Sequence, residues 1–109
     1  MSEALLKLIR NLSLVGFGEE RLKIEKLSEY QGRPNDREEY EVSVVDLPQG
    51  STVTVLVTDF WRYPGIPCYF VNFSHTDGNF MACMGTPHIE QALFDLGACM
   101  HMIPPISED

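Results

Sequence analysis

No apolar run in the 109 residues approaches the roughly 18 needed to cross a bilayer, which excludes a helical membrane span. Cysteine is scarce. Cys68, Cys83 and Cys99 are too few and too evenly scattered for a disulfide framework, and an odd number leaves one thiol over, so a reducing compartment is expected. Cations vanish after Arg62: residues 1–62 set eight Lys and Arg against eleven Asp and Glu, and residues 63–109 set none against five. The resulting net charge of −8 argues against nucleic acid, whose phosphates repel such a surface, and favours a basic protein partner or simple solubility. No secretory leader is expected, because Glu3 stands where positive charge is required and Lys7 and Arg10 interrupt the apolar positions. The chain reads as cytoplasmic.

What is present describes an ordinary folded domain. With 44% hydrophobic and 22% charged residues, the chain is neither disordered nor repetitive. Residues 1–109 form one domain of a size that can hold a core without metal or disulfide staples. Residues 2–12 pattern as a helix, with Ser2 as cap, Leu5, Leu8, Ile9 and Leu12 on one face, and Gly16 and Gly18 ending it. The segment 19–31 combines helix-forming residues with the strand-like alternation of Leu22 and Ile24; a strand is favoured because Tyr40–Val45 follows as a clear partner.

Val53, Val55 and Val57 alternate with Thr52, Thr54, Leu56 and Thr58 in the clearest strand of the sequence, entered through a Pro48-Gln49-Gly50 turn. Pro64-Gly65 suits the centre of a type II turn after it, and Pro67 disturbs any ladder there. Residues 68–76 and 79–84 then form a hairpin about a two-residue Asp77-Gly78 turn. Residues 87–103 close the chain as a helix capped by Thr86 with Pro87 in its first turn, and Ile89, Ala92, Leu93, Leu96, Met100 and Ile103 on one stripe. The expected fold is α+β: an N-terminal helix, an antiparallel meander of about five strands and a C-terminal helix, both helices on one sheet face.

The two-residue turn sets a register in which Val71 faces Met84, Phe73 faces Ala82 and His75 faces Phe80 on the core side. The reverse face would then carry Cys68, Phe70, Asn72, Ser74, Met81 and Cys83, with Thr54, Leu56, Thr58 and Phe60 beside them. Such a half-apolar surface calls for a partner, a ligand or a covering segment. A second semi-apolar stripe, Phe94, Ala98 and His101, faces away from the core on the last helix.

Catalytic chemistry finds little support. In this register His75 and Cys83 point to opposite faces, Cys99 and His101 diverge on their helix, and His88 beside Cys83 is the one Cys/His pairing left. Soft ligands crowd the last quarter, from Met81, Cys83 and Met84 to Cys99, Met100, His101 and Met102, but without the CxxC or HxxxH spacing that converges on zinc. No phosphate loop is present, and Glu19-Glu20 and Glu38-Glu39 read as solvated charge. No catalytic residue, metal or cofactor is assigned.

The remaining leads are binding surfaces. Phe60, Trp61 and Tyr63 border a stiff Pro-Gly segment, the type of rigid aromatic group that anchors partners, unless it folds over the open end of the core. Phe70, Asn72 and Cys83 mark the mixed sheet face, where a buried Asn72 amide would need a hydrogen-bond partner. The expectation is a non-enzymatic acidic interaction domain, a homodimer that binds a basic protein in the manner of an inhibitor or immunity protein. The alternative is a small-molecule binder with its ligand against the outer face or at the dimer interface.

Overall fold

Helix α1 forms over Glu3–Leu14 with Ala4, Leu5, Leu8, Ile9 and Leu12 buried along one stripe. The Ser2 side-chain oxygen accepts from the Leu5 N–H at 3.1 Å, satisfying one of the donors a helix start leaves open. A computed structural model of the chain describes residues 2–27, 29–30, 32–34, 38–60 and 64–104. After a short 3-10 turn at Glu19–Arg21, strands β1 (Leu22–Lys26), β2 (Glu29–Tyr30), β3 (Arg33–Pro34), β4 (Glu39–Val44), β5 (Ser51–Phe60), β6 (Pro64–His75) and β7 (Phe80–Ala82) follow, and helix α2 (Ile89–His101) ends the fold. Five strands pair antiparallel in the order β1-β4-β5-β6-β7, and β2 pairs with β3 as a small separate hairpin. The expected α+β meander between two helices is therefore the observed architecture. No helix among the described residues is long and apolar enough to cross a membrane.

The ambiguous 19–31 segment becomes strand because it has a partner. Ile24 stands opposite Val42 and Leu22 opposite Val44, so pairing on β4 overrides the helical preference of the Lys and Glu residues between. In the middle of the sheet, Val53, Val55 and Val57 stand opposite Phe73, Val71 and Tyr69, and all six are buried. α1 and α2 lie over this face, contributing Leu5, Leu8 and Leu12 from the first and Ala92, Leu96 and Cys99 from the second. A second cap ties α1 to the sheet, since the Asp59 carboxylate of β5 accepts from the Ala4 N–H at 3.2 Å.

Three expectations are corrected. The β6–β7 hairpin turns through three residues rather than two: the His75 N–H donates to the Asn79 carbonyl, the Gly78 N–H donates back to His75, and Gly78 takes φ 99°. A two-residue type I′ turn demands positive φ of Asp77 as well as glycine, whereas this loop asks it of Gly78 alone and lets the Asp77 carboxylate accept from the Asn79 N–H at 2.9 Å. The pairs become Asn72 with Ala82, Phe73 with Met81 and Ser74 with Phe80, one residue away from the expected register. A one-residue slip exchanges faces. Met81 and Cys83 pack toward the core, while Phe80 and Met84, expected inside, are 72% and 88% exposed.

Pro64-Gly65 is not the centre of a turn either. Both open β6, with Phe60 opposite Pro64 and Gly65 at φ 85°, where the ladder shifts register before resuming at Thr58 and Cys68. Finally, α2 starts at Ile89 with His88 at the cap, so Thr86 and Pro87 precede it. Thr86 instead exchanges two backbone hydrogen bonds with Tyr69, and its hydroxyl accepts from the His88 N–H at 3.1 Å. Strand pairing wins over the capping role because it satisfies two buried main-chain groups at once.

Candidate functional site

With both helices on one side, the other sheet face is a surface of side chains at alternate positions. Its composition changes across the strands. Glu25 of β1 stands directly opposite Glu41 of β4, Glu39 lies two residues earlier on β4, and Lys23, opposite Ser43, shares this face. The middle strand offers Thr52, Thr54 and Leu56, with Leu56 between Glu41 and Phe70. At the far edge Phe80 and Ala82 are exposed, and Met84 just beyond β7 is more exposed still. The face thus runs from charged side chains, three carboxylates and Lys23, through hydroxyls to apolar groups.

Two residues of this face are not available. Thr58 and Cys68, opposite one another, are both buried. The backbone of Gly85 lies so close to the Phe70 ring and the Cys68 sulfur that a Cβ there would clash with both. Phe70 and Asn72 remain half-buried on the outer face, as the alternation implied, and Asn72 sits between Thr54 and Ala82. Cys83 does not join them, because the shifted register turns it inward. Trp61 and Tyr63 lie outside the described residues, as does the side chain of Phe60. On α2, Phe94 and His101 are exposed and Ala98 is half-buried, so the outward stripe read from the sequence exists.

The soft-ligand residues of the last quarter divide between surfaces: Met81, Cys83, Cys99 and Met100 pack inward, while Met84, His88, His101 and Met102 are exposed. Among the described residues no three of His, Cys, Asp and Glu come together as a metal group. The residues that sequence reasoning missed are Phe80 and Met84, expected inside, and the Glu25–Glu41 pair. The signal for the first two was the order Asp-Gly-Asn, in which glycine can close a three-residue loop.

Burial also sets the ionisation of the thiols. Removal from water pushes the Cys68 thiol up to about 11 and the Cys99 thiol up to about 12, the latter also under the influence of Cys83. Burial likewise raises the Tyr69 phenol, with the Asp59 carboxylate adding to it. A raised folded-state value means that the stabilisation is complete below the ordinary thiol value of 9.0 and is lost as pH climbs toward the folded value. Urea midpoints measured from about pH 8 to about pH 11 should therefore fall, and a Cys68→Ala, Cys99→Ala variant should fall less steeply. Equal slopes in the two proteins would contradict this assignment.

Compared with family models, curated proteins and solved structures, the chain finds no match. The reading of its function rests on the geometry above.

Proposed function

We propose that this chain is a non-enzymatic acidic interaction domain that binds a basic protein across the open face of its sheet. One observation carries the reading: Glu25 and Glu41 stand directly opposite each other, on a face that ends in exposed Phe80 and Met84. Opposed like charges on neighbouring strands destabilise the sheet, and a Lys or Arg from a partner placed between them relieves that repulsion. Exposed aromatic and thioether groups supply the apolar contact that gives such an encounter a long residence time. A net charge of −8 adds steering toward a cationic surface, an effect that salt weakens. Trp61 and Tyr63 enter this proposal as aromatic anchors on sequence grounds alone. A cytoplasmic location accords with three free thiols.

A homodimer is the second reading, favoured by the edge strand β7. It is three residues long, and its outer face carries Phe80 with Met84 just beyond, so a second copy could extend the sheet and cover both. Light scattering separates the readings, with a monomer mass removing the dimer. For the main proposal, immobilised wild type in low-salt lysate is compared with Glu25→Lys, Glu41→Lys and with Phe80→Ala, Met84→Ala. A basic protein retained by wild type should bind each double variant at least about tenfold more weakly, a loss of about 1.4 kcal/mol. Identical retention by all three proteins would defeat the assignment to this face.

A further inference from the structure

The inward turn of Cys83 has a chemical consequence that does not depend on the partner. Cys83 N–H donates to the Val71 carbonyl at 3.0 Å, which continues the β6–β7 register and sets the Cys83 side chain on the helix-covered face. Cys99, on the inward stripe of α2, is fully buried in the same core. Cys83 packs against the core cluster that holds Cys99, each thiol bears on the other's ionisation while burial raises both, and Cys83, half-buried, is the member nearer solvent. Cys68 cannot compete, because its side chain projects to the opposite face, against Gly85. A residue just beyond β7 and a residue of α2 that both turn inward into one core are placed for a bond that neither could make with the third thiol.

We propose that Cys83 and Cys99 form a reversible thiol–disulfide exchange site, with Cys83 as the attacking thiol and Cys99 as the resolving one, and low-molecular-weight disulfides as the oxidant. In the first step Cys83 gives its proton to water and its sulfur attacks one sulfur of the disulfide, which breaks that S–S bond, leaves a mixed disulfide on Cys83 and releases one small thiolate. In the second, Cys99 loses its proton and attacks the Cys83 sulfur, expelling the second small thiol. Two protein thiols are oxidised by two electrons and one small disulfide is reduced to two thiols. The product pins the chain just after β7 to the middle of the last helix, fixing the segment from Met84 to Ala98 as a closed loop. The acidic chain repels anionic oxidants, so a neutral disulfide is the better probe.

The full-length folded protein is incubated with the neutral disulfide of mercaptoethanol, quenched in acid, unfolded, alkylated and mapped by peptide mass. The free thiol count should drop from three to one, with Cys83 joined to Cys99 and Cys68 alkylated, and dithiothreitol should restore all three. In Cys99→Ala the reaction should stop at a mercaptoethanol adduct on Cys83, whereas in Cys83→Ala the buried Cys99 should stay unmodified. Circular dichroism establishes that each variant is folded, and the wild-type map decides the matter even where a variant is not. Three free thiols, an adduct on Cys83 without an internal bond, or a bond involving Cys68 would each overturn the proposal.

Discussion

Met81→Asp is expected to lower the unfolding free energy by about 2–3 kcal/mol, while Ala82→Asp one residue later changes it by no more than about 0.5 kcal/mol. Met81 stands opposite Phe73 and packs against the core, so a carboxylate there loses water without gaining a partner. Ala82 stands opposite Asn72 on the open face and is exposed. Urea denaturation of the two variants reads the difference directly. A two-residue turn at Asp77-Gly78 would place Ala82 inside and Met81 outside, and so demands the reverse order. The pair of variants thus tests the register on which both the open face and the approach of Cys83 to Cys99 depend.

Truncation at Tyr69 should be costlier still, with Tyr69→Ala losing about 3–5 kcal/mol and Tyr69→Phe about 0.5–1 kcal/mol. Tyr69 is fully buried and holds three elements together: its side chain packs between sheet and helices, its backbone bridges Thr86, and its hydroxyl donates to the Ala4 carbonyl at the start of α1. The hydroxyl contact is long, at 3.5 Å, so most of the loss belongs to the ring. For a domain whose whole stability is on the order of 5–15 kcal/mol, the alanine variant falls near or below the folding threshold. Thermal melts of both variants check the ratio; equal losses would mean that the hydroxyl, not the ring, carries the site.

Legibility differed from element to element for physical reasons. α1 and β5 announce themselves, since an apolar period near 3.6 behind a Ser cap and a strict two-residue alternation of β-branched residues each have one solution. Phe70 and Asn72 followed from that alternation and are on the outer face. The far side of the hairpin did not follow, because turn length enters as a parity: Asp77-Gly78 is compatible with loops of two or three residues, and one residue exchanges every side chain beyond it between faces. Likewise, Thr86 has the chemistry of a helix cap, and nothing local reveals that Tyr69 takes its backbone instead.

Contacts between residues distant in sequence were the other hidden layer. The carboxylate of Asp59 capping α1, the opposition of Glu25 and Glu41, and the shared core position of Cys83 and Cys99 all join positions that no local pattern relates. Composition, charge and periodicity were sufficient for the helix–meander–helix order and for the acidic character, because those depend on each residue's own solvation and its nearest neighbours. Which residues look outward past Gly78, and which thiols share the core, was decided only when the chain closed on itself: hydrogen-bond pairing selects one parity out of two, and close packing against α2 then admits a single set of side chains.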